Sequence, residues 1–397
     1  MIPNIVYPTK TNGSGIYAIP SLPPGRYRLV VRKDGFKGID KTDITLNVQD
    51  ILEQNFSLEI GSTSETVTVS GAGNNINTTD ASVSTVVDRQ FVENIPLNGR
   101  SFQTLIMLTP GTVLSTASGS QGQFSISGQR GDSNYVTVDG ASADIGATAY
   151  RGIGQYGTGS IPGATVQGGT SALVSVDAME EFRIQTSSFA PEFGRSPGGQ
   201  ISIATRSGSN QFHGTLFDYF RNDALDANNW FADNSGLRKP AERQNDFGGV
   251  VGGPIIRDKT FFFFSYEGLR LRQPLTSTVT VPSLASRQAA VSQIQPFLNA
   301  YPVPNGVVQT NGTAKFAASY SNPSTEDVYS IRVDHTINSR LTLFGRYSNA
   351  PSTAVSRLST MLSVTNPLNV NTQTATAGLT LIASPSISNE QIGRAHV

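Results

Sequence analysis

The stretch FGGVVGGPIIRDKTFFFFSYEGLR, residues 247–270, places four consecutive phenylalanines just past a turn-like Gly-Pro and Arg-Asp-Lys segment. Gly248, Gly249, Gly252 and Gly253 thin out one strand before Pro254, then Arg257, Asp258 and Lys259 form a water-facing turn, and Thr260 begins the return strand. A strand sends successive side chains to opposite faces, so the rings of KTFFFFSYEG divide between two environments. A sheet with one face in water carries an aggregation hazard if both faces are aromatic. A wall with lipid outside and a packed filling inside accommodates both sets.

The same alternation recurs after Gly208 in HGTLFDYFRN, DVYSIRVDHTIN, RLTLFGRYS and TATAGLTLIA. Tyr329, Ile331 and Val333 alternate with Ser330, Arg332 and Asp334, and Leu341, Leu343 and Tyr347 stand against Thr342 and Arg346. Asn338 and Ser339 fall where a tight hairpin turn belongs. One apolar and one charged face is the pattern of a transmembrane barrel strand, and equally of a soluble sandwich with one solvent face. Aromatic residues at strand ends, Tyr219, Phe220, Tyr266, Tyr329 and Tyr347, favour the membrane, where amphipathic rings sit at headgroup level.

Composition agrees with a β-rich chain. The 397 residues include 39 glycines, only 15% charged residues and 37% hydrophobic ones, so turns and strands are favoured over Glu/Lys-rich helices. The 29 basic and 29 acidic residues cancel, and no basic cluster invites nucleic acid. With no cysteine, disulfide staples and thiolate metal sites are excluded. A run of about 18 apolar residues, the mark of a transmembrane helix, does not occur. Strands of a membrane barrel leave a much weaker trace.

Upstream of the wall, residues 15–58 read as short strands between turns: GIYAI, RYRLVVRKDGF, ITLNVQ and ILEQNFSLEI, a small β-sandwich lacking its first strands. Residues 61–79 hold one strand candidate and a Gly/Asn/Thr linker. From Ala81 the chain mixes short helices and strands: a helix through Phe102, Leu105, Ile106 and Leu108 or Thr109 stopped by Pro110 and Gly111, then FSISG, YVTVDG, MEEFRIQTSS and GGQISIATRSGSN. The Gly/Ala/Ser/Thr region over 141–171 exceeds ordinary loop length and reads as a functional loop, an apex or disorder, with an apical or lumenal ligand-facing segment the expected role.

These pieces carry a family resemblance. FVENIPLNGRSFQTLIMLTPG (91–111), FSISGQRGDSNYVTVDG (124–140), the run from Met179 to Phe231 and the opening stretch resemble the plug and first barrel strands of TonB-dependent outer-membrane receptors of the Oar-like group. Residues 15–58 are similar to the end of the carboxypeptidase-regulatory-like β-sandwich that precedes the plug in that group. The resemblance covers nearly the whole chain. It implies a mostly β fold: a partial β-sandwich over 1–60, a linker over 61–80, an α+β plug domain over 81–207, and over 208–391 the N-terminal strands of a large antiparallel transmembrane β-barrel. It further implies uptake of a solute through plug rearrangement driven by the TonB-ExbB-ExbD complex, outer-membrane lipid around the wall, and no nucleic-acid partner.

Within the plug motifs, Pro96 holds the preceding residue extended, Asn98 and Gly99 suit a turn, and Arg100 is placed to reach a carboxylate of the plug or the inner wall. Gly128, Arg130 and Gly131 form a second turn, with Asp132 or Asn134 accepting local backbone hydrogen bonds. Asp132, Asp139 and Asp144 raise calcium as an alternative, yet lack the alternate-position carboxylates of an EF-hand loop. Asp139 and Gly140 close the strand YVTVDG. Glu181, Arg195, Gly198, Gly199 and Arg206 are expected to pack the plug against the barrel, with Glu180 and Glu192 as further charge partners. For TonB contact the best-placed segment is Glu65, Thr66, Val67, Thr68 and Val69, a strand able to pair at an edge; its other reading is the last strand of the first domain.

No catalytic, cofactor or metal constellation is found. His213, His335 and His396 lie far apart, and no HExxH, GxSxG, Walker or dinucleotide fingerprint occurs. About five to eight strand candidates follow the plug, against about twenty-two in the family resembled, too few to close a barrel. A fragment is expected, without a signal peptide at its front and with a non-native, adapter-like tail, IGRAHV, over 392–397. Two other functions fit the same strands: a surface adhesion or assembly protein anchored by its barrel, and a soluble carbohydrate-binding β-protein.

Overall fold

The computed structural model describes residues 6–62, 66–70, 82–95, 103–114, 124–143, 174–189, 196–234, 236–357 and 364–396. Three β units follow one another along the chain. In the first, β1 (Gly25–Val31) pairs antiparallel with β2 (Gly38–Leu46), and β3 (Thr66–Ser70) adds parallel to β2 at the sheet edge. GIYAI and ILEQNFSLEI, expected as strands, join no ladder. Pro20, Pro23 and Pro24 beside GIYAI lack backbone donors. Residues 51–59 are extended, alternating exposed and half-buried, and meet the sheet without a ladder: the Lys41 ammonium of β2 donates to the Gln54 side-chain oxygen, the Lys37 N–H donates to Glu59 O at 2.9 Å, and Phe36 and Ile60 form an isolated bridge.

The second, central unit is a five-stranded mixed sheet in the order β4 (Val83–Val87), β9 (Met179–Ser187), β10 (Gln200–Thr205), β7 (Tyr135–Val138), β8 (Ala141–Ser142). Register places Ile201 between Ile184 and Val136, and Ile203 between Phe182 and Val138, so one face is an unbroken apolar layer. Two short helices cover it. The first, α1 (Arg89–Asn94), starts where the Asp88 carboxylate accepts the Phe91 N–H at 2.8 Å and delivers Val92 to the core. The second, α2 (Gln103–Ile106), brings Leu105 and Ile106, each 1% exposed. It ends earlier than expected, in turns closed by Leu108 and Thr109 N–H groups before Gly111 at φ +81°. A small hairpin, β5 (Thr112–Leu114) with β6 (Phe124–Ile126), packs at the side.

The third unit is a seven-stranded antiparallel sheet in which every strand pairs with its neighbours in sequence: β11 (His213–Asn222), β12 (Arg243–Ile256), β13 (Thr260–Pro282), β14 (Thr313–Asn338), β15 (Leu341–Arg357), β16 (Thr365–Ser384) and β17 (Ile387–His396). At one end the connections are short, at residues 257–259, 339–340 and 385–386. At the other end residues 223–242 and 283–312 carry α3 (Trp230–Asn234), α4 (Leu284–Ala289) and α5 (Gln295–Asn299). Outer-membrane barrels keep short turns on the periplasmic side and long loops outside, which orients the sheet. β13 and β14 run for 23 and 26 residues, whereas about 9–11 suffice to span a bilayer. Their far ends exceed that length, and there the Arg287 guanidinium gathers the loop by donating to the carbonyls of Pro282, Tyr301 and Pro302 at 3.1, 2.9 and 2.6 Å.

The phenylalanine run divides between the two faces. Phe261 and Phe263 are 5% and 3% exposed, while Phe264 is 38% exposed and lies beside Ile331, with Tyr266 beside Tyr329. Phe263 and Val250 belong to the same core as Val136, Phe182, Ile184 and Ile201 of the central unit. The wall's inner aromatic face and the central sheet thus share one apolar interior. Glycine at position 252 makes room for this, since a Cβ there would lie 2.8 Å from the Phe263 ring. Truncating Phe263 to alanine is expected to cost about 3–5 kcal/mol, read from the denaturant midpoint. With Trp230, the one tryptophan of these 397 residues, and any tryptophan elsewhere in the full-length protein changed to phenylalanine, Phe264→Trp fluorescence should be quenched by lipids brominated in their acyl chains and Phe263→Trp fluorescence should not. Equal quenching at both positions would refute the assignment of faces.

Candidate functional site

The charged contacts around the central unit form two seams, one to the wall and one to the first β unit. The wall seam centres on Asp139. Asp139 and Gly140, at φ +51° and +79°, make the two-residue turn joining β7 to β8, the conformation that Asp-Gly adopts readily. The turn is pinned by the Asp139 N–H donating to Ile203 O at 2.9 Å and by the carboxylate accepting the Thr205 N–H at 2.9 Å and its hydroxyl at 2.9–3.0 Å. So fixed, the carboxylate projects to the wall. Arg332 of β14 donates to it at 2.9 Å, and Arg346 of β15 lies at 3.9 Å.

Arg332 and Arg346 are cross-strand partners, directly opposite in the β14–β15 register. Like charges so placed repel. The Asp139 carboxylate lies within 4 Å of both, while Asp334 takes Arg332 from the other side at 2.8 Å and the Phe344 ring lies 4.8 Å from the Arg332 guanidinium. Arg346 also reaches the Ser330 hydroxyl at 3.3 Å. The Asp139, Arg332 and Arg346 side chains are 5%, 14% and 4% exposed, so removing one charge strands another away from water. Three further contacts tie the central unit to the wall: the Ser175 hydroxyl to the Glu267 carboxylate, the Arg394 guanidinium of β17 donating to Ser142 O, and Arg206 stacked 4.9 Å over the Phe263 ring while donating to Asp177 O at 3.2 Å.

The second seam lies on the other face of β9. Arg183 pairs with Asp50 at 2.5 Å, the two side chains 6% and 7% exposed, and the Glu181 carboxylate accepts the Val48 N–H. Glu181 and Arg183 thus grip the 48–50 turn of the first unit. Burial pushes the Glu181 carboxyl up to about 7, with Glu180 and Asp50 adding repulsion and the Val48 N–H and Arg183 opposing.

Several expected site residues are placed differently. Glu181 faces the first unit and not the wall, because its position in β9 puts it on the polar face of the sheet. Gly198 and Gly199 close on the central unit itself, where a Cβ at 198 would lie 2.3 Å from Ser133 O and one at 199 would lie 2.2 Å from the Ile126 side chain. Thr66, Val67, Thr68 and Val69 register with Gly38, Ile39, Asp40 and Lys41 as part of the first sheet, the other reading of that segment. Gly128 takes φ +76°, Arg130 is exposed and Gly131 opens a 3-10 turn. Pro96, Asn98, Gly99, Arg100, Arg195 and Glu65 lie outside the described residues, as does the side chain of Asp132. Asn134, 3% exposed, is the organiser of that turn: its amide donates to Phe124 O at 2.7 Å and accepts the Gly199 N–H at 3.0 Å. Among the described residues no cluster of His, Asp and Glu is placed to hold a metal ion.

Comparison with known proteins agrees with this architecture. An outer membrane beta barrel domain matches residues 204–394, and a carboxypeptidase regulatory-like domain matches residues 3–59. In its fold the chain is similar to the outer membrane transporter YddB from Escherichia coli, with a TM-score of 0.54 at 11% identity over 78% of this chain and 38% of that one. The chain is therefore part of an outer-membrane β-barrel protein. It is 30% identical over 281 residues to the TonB-dependent transporter Oar of Myxococcus xanthus, 68% of this chain and 24% of that protein. These matches agree with the resemblance to the TonB-dependent outer-membrane receptors of the Oar-like group, and the Myxococcus xanthus relative is named a transporter. The chain spans about a quarter of the length of that curated relative.

Two outcomes test the seams. Asp139→Asn should lower stability by about 3–5 kcal/mol in denaturant titration, since two buried arginines lose their shared carboxylate; combined with Arg346→Gln the loss should be less than additive. For Glu181 the folded value exceeds its ordinary 4.5, so its contribution is full below about pH 4.5 and is lost as the pH rises through about 7. The interval corresponds to at most about 3 kcal/mol. A thermal midpoint that falls between pH 5 and pH 8, and does so less in Glu181→Gln, is expected.

Proposed function

We propose that the chain is the N-terminal portion of a transporter that takes up a solute across the outer membrane when the TonB-ExbB-ExbD complex rearranges its plug. In this reading residues 1–60, with the added strand β3, are the regulatory-like β-sandwich, the rest of 61–80 is a linker, 81–207 the plug and 208–391 the first barrel strands; residues 392–396, expected as a non-native tail, continue β17 in register with β16. The observation that carries it is the pair of contacts between central unit and wall: a shared apolar core at Phe263 and Val250, and a polar lock at Asp139.

Those two contacts have different mechanical characters. The apolar part holds the unit against the wall without regard to small displacements. The polar part fixes one position, and it is replaceable by water when the unit shifts, because a hydrogen-bonded contact is worth little net of its hydration. No covalent chemistry is required. The solute, the surrounding lipid and the TonB complex are the partners of this reading.

These 397 residues contain no cysteine, so a direct test is available once any cysteine elsewhere in the full-length protein is changed to serine. Ser202, 4% exposed on the polar face of the central sheet, is replaced by cysteine in the full-length protein, and labelling by a soluble maleimide is followed in cells with and without TonB. Labelling at least tenfold faster with TonB is expected. Equal rates would overturn the proposal, and solute uptake that persists without TonB would turn the reading toward an anchored surface protein.

A further inference from the structure

We infer that the inner wall carries an anion-binding site, Arg332 with Arg346, which Asp139 occupies as a resident carboxylate and which a carboxylate group of the passing solute takes when the central unit moves. The inference rests on the proposed movement of that unit, and it adds a ligand class and a location.

The argument begins with charge that cannot be removed. Arginine does not deprotonate in proteins, so the cross-strand pair stays doubly positive whatever the central unit does. Of the two carboxylates that meet the pair among the described residues, Asp334 is on β14 itself and remains with the wall, while Asp139 belongs to the central unit and leaves with it. Displacement thus exposes a net positive site on the inner wall. One guanidinium is oriented by Asp334 at 2.8 Å and the Phe344 ring at 4.8 Å, the other by the Ser330 hydroxyl at 3.3 Å. The donors are held in place before any ligand arrives.

What fits is specified by the group already there. Asp139 approaches as a planar carboxylate, with one oxygen 2.9 Å from Arg332 and the other 3.9 Å from Arg346, while the Thr205 hydroxyl shares the same Arg332 nitrogen at 3.0 Å. Guanidinium groups match carboxylate geometry. A solute carboxylate is therefore both a ligand for the vacated wall and a competitor for the lock.

Deletion and rescue test this without solute or TonB, so failure of either proposal leaves the other standing. Asp139→Gly removes the carboxylate and retains a residue suited to the positive φ of that turn. In the full-length protein, sodium formate should raise the melting temperature of Asp139→Gly saturably, recovering at least half of the deficit. Sodium chloride at equal ionic strength should recover much less, and the wild type should not respond. Asp139→Gly/Arg346→Gln should also be insensitive. If Asp139→Gly is not isolated folded, the yield of its refolding into detergent in formate against chloride replaces the melting curve, with Asp139→Ser carried through the same titration. A formate response that is absent, matched by chloride, or undiminished by Arg346→Gln would overturn the assignment.

Discussion

Arg332 and Arg346 face each other across a strand pair, and their position relative to the central unit depends on the Asp139 carboxylate between them. Neither partner specifies this alone. The wall contributes two like charges whose repulsion would open the β14–β15 pair, and the central unit contributes a turn held by Thr205 and the Ile203 carbonyl so that one carboxylate projects outward. Apolar contact at Phe263 and Val250 adds adhesion between the two units, but dispersion and burial do not discriminate strongly among small shifts. The ion pairs fix which strand of the wall meets which turn.

Membrane physics explains why the wall keeps unpaired charge off its outer phase, where Arg270 is met by Asp327 at 2.9 Å, and concentrates like charges on the inner one. Hydrocarbon offers no hydrogen-bond partner, so strands must pair with each other along their length and turn apolar side chains outward. Phe264, Ile331 and Tyr347 follow that rule on adjacent strands, while Phe263, Arg332 and Arg346 occupy the opposite phase. An inward arginine is tolerated only where something polar meets it. The central unit does so at Asp139 and again at Ser175, whose hydroxyl reaches Glu267.

How far this was legible in the sequence follows from the range of each interaction. Alternation is local, so the phase of Tyr329, Ile331 and Val333 against Arg332 and Asp334 was readable, as was the division of the phenylalanine run. Asp139 was readable only as a turn residue beside Gly140. Its decisive partner, Arg332, lies 193 positions away, and no local pattern reports such a pairing. For the same reason the sequence does not show that Glu181 meets Val48 and not the wall: strand periodicity places it on the face of β9 opposite Phe182, but does not tell what covers that face. Thr66 to Val69 read correctly as a strand and ambiguously as to owner, because the parallel pairing with β2 spans the intervening turn and extended segment. GIYAI has strand composition, yet β structure requires a partner with free backbone groups, and composition does not show one.

The polar face of the central sheet has its own physical logic. Thr137, Glu181, Arg183, Gln185, Gln200 and Ser202 are all buried, and the Arg183 Nε and Nη1, Gln185 Oε1 and Gln200 Oε1 atoms meet no hydrogen-bond partner among the described residues. A permanently covered sheet would gain stability from apolar residues here, since each unsatisfied polar group costs about 1–3 kcal/mol. A surface that meets water during part of a working cycle is under the opposite constraint, because a large exposed apolar face invites aggregation. The central sheet satisfies both demands by dividing them: Phe182, Ile184, Ile201 and Ile203 hold the helices on one side, and the polar side is closed by the first unit through Asp50 and Val48. Under the transport reading this division determines which contacts part. Separation along the polar face returns charged and amide groups to water, whereas separation along the apolar face would expose the core that keeps the unit folded. Force applied to the plug therefore meets its lowest resistance along the polar seams, and the folded core remains intact while they open.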